Sequence, residues 1–193
     1  RRFGQLDRTW SGPEFNRLLG KAMAEHRDDF ILALYLGRYA GFRIHECFRM
    51  DTAAAEQALR ENALTVKGKG GKVRTVPIED ERILMMLKRV LAQTERGHKL
   101  LVPDGMPTDR AINALELFIY RYRNGICDEG SDRRLTFHGL RHTYAAEKYT
   151  RLTEGGMSAI DAHYAVSRLL GHERADVTDI YLASVRKRGS DGE

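Results

Sequence analysis

Apolar residues recur at three- and four-residue spacing along almost this whole chain, and the rhythm breaks once. Phe15, Leu18, Leu19, Ala22 and Met23 form a helical stripe, as do Ile83, Leu84, Leu87 and Leu91, and later Ile112, Leu115, Ile119 and Tyr122. Between them, Ala63–Lys67 and Val73–Ile78 are short, partly β-branched runs around Gly68-Lys69-Gly70-Gly71-Lys72. Such a break reads as one β-hairpin with a glycine-rich tip. The expected fold is therefore mainly α with a small antiparallel β-sheet, the α+β class.

The remaining helices follow from punctuation. Pro13 sits near the first turn of the first stripe. Asp28 is expected to cap a helix over Phe30–Tyr39, which Gly41 ends. Ile44, Cys47 and Phe48 repeat at helical spacing, so Arg43 stands at the start of a further helix. Asp51 can cap an alanine-rich helix through Glu61. Gly125 is expected to end the helix carrying Tyr122, with a surface loop over 126–135. Helices should follow over 138–153, 158–170 and 176–184, the second stopped by Gly171 and the third capped by Asp176. Residues 1–10 are polar and irregular, and the tail Arg186–Glu193 reads as frayed.

Bulk properties set limits. The chain has 193 residues, 42% hydrophobic and 31% charged, which suits one globular domain rather than a disordered one. Net charge is +5 and the sequence pI about 9.3, so an acidic partner fits, although 27 acidic residues balance most of the excess. Cys47 and Cys127 are in no metal spacing. No secretory signal and no apolar run of 18 residues occurs, so neither export nor membrane spanning is supported. The chain opens on Arg1-Arg2 rather than methionine and is expected to be a fragment lacking something N-terminal.

Chemistry-bearing residues cluster late. His138-Gly139-Leu140-Arg141-His142 is followed by Gly171-His172 and then Tyr181, while Arg43 lies far upstream. On a helix His138 and Arg141 share a face and can meet one phosphate. Arginine offers a fixed fork of donors for two phosphate oxygens, and tyrosine becomes a useful nucleophile only beside cations at the reacting phosphorus. Each residue also has a plainer reading. Arg43 and Glu46 could be a helix-surface ion pair worth only ~0.3–0.5 kcal/mol. The lysine-glycine tip could be a solvated turn. His172 could be a cation at a helix C-terminus. His142 is expected to turn inward and bond to backbone. A His138/His142 metal site is disfavoured because Gly139 replaces the Glu of H-E-x-x-H.

The order Arg, Lys, His-x-x-Arg, His, Tyr resembles the catalytic domain of the tyrosine recombinase (phage integrase) family over residues 12–185. Ala40-Gly41-Phe42-Arg43-Ile44-His45-Glu46 is similar to its A-G-x-R-x-x-E segment. Val66-Lys67-Gly68-Lys69-Gly70-Gly71-Lys72-Val73-Arg74-Thr75-Val76-Pro77 is similar to its V-x-G-K-G-x-K-x-R-x-V-P hairpin. His138, Leu140, Arg141 and His142 fill its H-x-L-R-H motif, and Leu169-Leu170-Gly171-His172 precedes Tyr181 by the family's nine residues. One departure is visible: Asp51–Glu61 reads as a helix where the family often has a short strand, so the sheet is expected to be reduced.

The resemblance implies site-specific DNA recombination, the integration or excision of a mobile element, through a 3′-phosphotyrosyl intermediate. It makes Tyr181 the nucleophile, with Arg43, Lys69, His138, Arg141 and His172 as catalytic partners. Lys72 is the alternative to Lys69. Glu46 and His142 would orient these groups, and Lys67, Lys72 and Arg74 would contact DNA. It implies no cofactor and no metal. The partners would be double-stranded DNA and other recombinase subunits, tetrameric on DNA and monomeric alone, in a bacterial cytoplasm at the nucleoid and not at a membrane. Residues 1–11 would be a linker and 186–193 a flexible tail, with a separate N-terminal DNA-clamping domain missing. A type IB topoisomerase and a non-catalytic DNA-binding regulator of the same fold are the rivals.

Overall fold

Ten of the 13 residues of helix α2 (Asp28–Ala40) are buried, and the rest of the chain is arranged to cover it. A helix apolar on every side is stable only at the centre of a helical domain. The computed structural model describes residues 7–68, 71, 73–171, 178–179, 181–182 and 185. Among these, α1 (Gly12–Ala24), α5 (Glu81–Leu91) and α7 (Phe137–Glu154) pack on α2, and α6 (Thr108–Ile126) packs on α1. The short α3 (Ile44–Cys47) and α4 (Thr52–Glu61) lead into strands β1 (Ala63–Lys67) and β2 (Val73–Pro77). These form a two-stranded antiparallel sheet, registered from Ala63 opposite Pro77 to Lys67 opposite Val73. The sheet leans on α4 through β1, and β2 touches α8 (Ala159–Leu170), which itself packs on α7. The fold is thus mainly helical with one small antiparallel sheet. No helix among the described residues is long and apolar enough to cross a membrane.

Most element ends follow the sequence logic. The Asp51 carboxylate accepts the Ala54 N–H at 2.8 Å, and Gly41 and Gly171 leave α2 and α8 in left-handed conformation, at φ 66° and 67°. Three expectations need correction. Asp28 is the first residue of α2, not its cap; Arg27 takes the cap position without a side-chain capping bond, and its guanidinium pairs with Asp29 at 2.6 Å. Gly125 does not end α6, which runs to Ile126 before Cys127 turns extended. Residues 7–11 are not loose: Trp10 is 3% exposed, and Ser11 with Glu14 forms a reciprocal capping box for α1. Of the helix expected over 176–184, Asp176 lies outside the described residues.

The main core runs from Trp10 to Leu140. A second, smaller cluster joins Tyr144, Ala145, Val166, Leu170, Tyr181 and Leu182, so Tyr181 and Leu182 rest on α7 and α8. Arg38 of α2 and Glu147 of α7 pair through both guanidinium nitrogens at 2.6 and 2.5 Å, which fixes the two helices in register.

Candidate active site

The first two turns of α7 carry most of the site. Thr136 caps this helix by accepting the Gly139 N–H at 3.3 Å. Arg141 has no exposed surface. Its Nη1 donates to the Gly41 carbonyl and its Nη2 to the Leu170 carbonyl at 2.6 Å. It therefore ties together the ends of α2 and α8, where the chain turns out of each helix. It also hydrogen-bonds the Tyr181 side chain. Burial, with the nearby charges of Arg43 and Arg74, lowers its pKa to about 10, so it stays cationic at neutral pH.

Tyr181 lies against its own chain's α7 and is 7% exposed. Its ring stacks on His142 at 4.4 Å and 29°, with the His138 ring 5.5 Å away and the Arg141 guanidinium carbon 5.5 Å from the ring centre. His142 is turned inward as expected, at 2% exposure, but its Nε2 has no hydrogen-bond partner among the described residues. Burial, then the neighbouring His138, Arg8 and Arg141, lowers its pKa to about 3. His138 is exposed as a residue. Desolvation by the protein packed around it, then the charges of Arg141, Arg8 and Arg43, lowers its pKa to about 4. Both imidazoles are neutral at pH 7, so His138 can accept a proton there.

Arg43 caps α3 in extended conformation, with its side chain 32% exposed. The Glu46 side chain below it is 1% exposed and gathers four bonds. It accepts the Arg43 backbone N–H at 2.7 Å, Arg43 Nη1 at 3.1 Å, and both Arg74 terminal nitrogens at 2.8 Å. The carboxyl pKa falls to about 2, because these bonds and the positive charges of Arg74 and Arg141 outweigh the opposing effect of burial. Arg74, expected to contact DNA, is instead turned inward on this carboxylate with its side chain 10% exposed. Its strand position aims it at α3 rather than at solvent. Lys67 is exposed at the end of β1. Lys69, Lys72 and His172 lie outside the described residues.

Sequence reasoning missed what lies over this turn. The Trp10 backbone N–H donates to Thr143 Oγ1 at 2.8 Å and its indole N–H to the Thr136 carbonyl at 3.0 Å, so Arg8–Trp10 straps the start of α7. Gly139 permits the strap, since a Cβ there would lie 2.9 Å from Trp10 Nε1 and nearer still to the Arg8 carbonyl. Gly139→Ala is expected to lift the strap at a cost of about 1–3 kcal/mol. Trp10 is the one tryptophan, so its emission should shift to the red as the melting temperature falls. An unchanged spectrum with unchanged stability would disprove this reading of the strap.

Among the described residues one group of three potential metal ligands occurs, Glu95, His98 and Asp104. It lies on the α5–α6 loop and shares no residue with the site. His98 Nδ1 is there 2.5 Å from Asp104, a pairing at the surface.

Comparison with known proteins matches the family model described as Phage integrase family to residues 13–188. A tyrosine recombinase XerD of Pseudomonas putida is 27% identical over 177 residues, covering 88% of this chain and 53% of that protein. A tyrosine recombinase XerS of Streptococcus sanguinis is 29% identical over 165 residues, covering 81% and 42%. The chain thus spans about half the length of these curated relatives. The crystal structure of XerA recombinase superposes with a TM-score of 0.67 at 20% identity, over 96% of this chain and 65% of that one. XerH site-specific recombinase bound to a palindromic difH substrate, in a post-cleavage complex, gives 0.66 at 18% identity, over 96% and 52%. At these identities the structural likeness is one of fold.

Proposed function

The chain belongs to the phage integrase family, and from that premise we propose that it cuts and rejoins DNA as a tyrosine-type site-specific recombinase. One observation carries the reading: Tyr181, stacked on His142, lies against the buried cation Arg141 of its own chain. In the reaction the Tyr181 oxygen attacks a DNA phosphorus and the bond to the 5′ oxygen breaks, leaving a 3′-phosphotyrosine. His138, neutral and exposed, accepts the tyrosine proton. Arg43 and Arg141 hold the non-bridging oxygens as negative charge grows on them. Lys69 gives a proton to the departing 5′ oxygen, and His172 hydrogen-bonds the phosphate. A 5′-hydroxyl from a second strand then attacks the phosphotyrosine, and tyrosine leaves with its proton restored. The ester energy is conserved, so no nucleotide cofactor enters.

Arg141 has no exposed surface, and its guanidinium carbon lies 5.5 Å from the centre of the Tyr181 ring. Movement of that ring on DNA binding would help open Arg141 to a phosphate and would release the nucleophile. The working species is a set of subunits on duplex DNA, tetrameric there and monomeric when free, acting at the nucleoid in the bacterial cytoplasm. Incubation with a nicked duplex carrying the recombination site tests the reading, because the nick lets the cleaved end diffuse away and traps the adduct. Absence of any adduct defeats it. Relaxation of a supercoiled plasmid that lacks the site would favour a type IB topoisomerase instead.

The lysine assignment has its own test. Lys69→Ala is expected to slow cleavage by about 10²–10⁴-fold on an ordinary substrate and far less on one with sulfur at the 5′ bridging position. A thiolate leaves without a proton, so the general acid becomes dispensable. If Lys72→Ala shows that contrast and Lys69→Ala does not, the acid is Lys72.

A further inference from the structure

Arg74 stands on β2 of the hairpin, yet its guanidinium points into the protein. It meets Glu46 as a fork, with one nitrogen 2.8 Å from each carboxylate oxygen. The same two oxygens hold Arg43 at both ends, its backbone N–H at 2.7 Å and its Nη1 at 3.1 Å. The Arg74 guanidinium also lies 5.8 Å from the centre of the Phe42 ring, next to Arg43, and its Cδ would be 3.0 Å from a Cβ at Gly171, the turn that leads into His172. One side chain thus touches or neighbours three of the segments that the recombinase reading assigns to the reaction.

The charges here do not balance pairwise. Two arginines share one carboxylate, so the group carries one net positive charge. The better geometry belongs to Arg74: two bonds at 2.8 Å against a single longer side-chain bond from Arg43. Glu46 is therefore neutralised mainly from the hairpin side. Arg43 is located by its backbone and one nitrogen, and its side chain stays 32% exposed. Without Arg74, a buried carboxylate in contact with Arg43 would take that guanidinium for itself, since a lone buried charge is costly.

We propose that Arg74 is a positioning residue that keeps Arg43 available to a phosphate by saturating Glu46. It does not contact DNA. It acts by withholding Glu46 from Arg43, and the proposal rests on the recombinase reading for its catalytic consequence only.

The test uses the full chain with Arg74→Met, Arg74→Lys, Glu46→Gln and the double variant Arg74→Met/Glu46→Gln, each checked for native circular dichroism. On the nicked duplex, Arg74→Met is expected to cut cleavage by about 10²-fold with duplex affinity nearly unchanged. Arg74→Lys keeps the charge but not the fork and should fall between. The decisive variant is the double one. Removing the carboxylate charge frees Arg43 again, so the double variant should cleave faster than Arg74→Met alone. A residue that merely held the fold together would make the double variant worse, and that result overturns the proposal, as does a loss of duplex affinity that accounts for the whole effect. A second readout needs no DNA. In nuclear magnetic resonance spectra of the free protein, the terminal nitrogens of Arg43 should average in the parent. They should split into resolved signals in Arg74→Met, where Glu46 grips the fork and stops its rotation. Identical Arg43 signals in the two proteins also overturn the proposal. If the parent itself forms no adduct, the recombinase reading fails while this spectrum still decides the role of Arg74.

Discussion

Tyr181→Phe should bind duplex DNA as the parent does and form no covalent adduct with it. The change removes one oxygen and no positive charge, and phosphate contacts by cationic side chains supply the affinity. The phenylalanine ring can keep the stack on His142, at 4.4 Å in the parent, and cover Arg141 in the same way. What disappears is the atom that bonds to phosphorus, together with its hydrogen bond to Arg141, so the loss falls mainly on the chemical step. Tyr181→Ala should behave differently. It uncovers Arg141, which has no exposed surface in the parent, and should bind DNA more tightly while remaining inert. Measuring adduct yield on denaturing gels beside affinity by titration separates these outcomes. Adduct formation by Tyr181→Phe at the parental level would move the nucleophile to another tyrosine. Equal affinity of the alanine variant and the parent would mean that Tyr181 does not gate Arg141.

How much of this was legible in the sequence depends on the distance over which each contact acts. Helical spacing alone put His138, Arg141 and His142 on adjacent turns, because a helix fixes neighbours three and four residues apart. The placement of Arg43 at the start of a helix, the hairpin pairing of Ala63–Lys67 with Val73–Pro77 and the left-handed exit at Gly171 were equally local. The contacts that turn these pieces into a site are not local. Arg74 and Glu46 are 28 residues apart, and no periodicity links a strand residue to a carboxylate on a preceding helix. The buried setting of Arg141 depends on carbonyls 100 residues upstream and 29 downstream. Trp10 sits in a polar run that reads as linker, and only its contacts with Thr136 and Thr143 show why it is there. The same holds for Arg74 in its basic hairpin: sequence gives its charge but not its direction, which is onto Glu46.

Glu46→Ala should cost about 3–5 kcal/mol of stability, the range for removing one partner of a buried ion pair, and lower the melting temperature by roughly 10 °C. The carboxylate is 1% exposed and takes bonds from two arginines, so its loss leaves the 10%-exposed Arg74 and the cap of α3 without their common acceptor. Glu46→Gln keeps one acceptor oxygen and should lose less. Acid gives an independent view of the same group. The folded Glu46 pKa of about 2 lies below its ordinary 4.5, so its stabilisation is complete above pH 4.5 and is lost as pH falls toward 2. His138 and His142 act over a higher window. Their folded pKa values of about 4 and 3 lie below the ordinary 6.5, so the unfolded chain binds more protons as pH drops below 6.5. Stability of the parent should therefore decline from about pH 6.5, most steeply just below 4.5 where all three groups favour the unfolded chain, and more gently toward pH 2 as the histidines saturate. Glu46→Gln should keep the decline above 4.5 and have a shallower slope than the parent below it. Chemical denaturation at a series of pH values measures both, and a glutamine variant with the parent's slope below pH 4.5 would show that Glu46 is not held ionised by its two arginines.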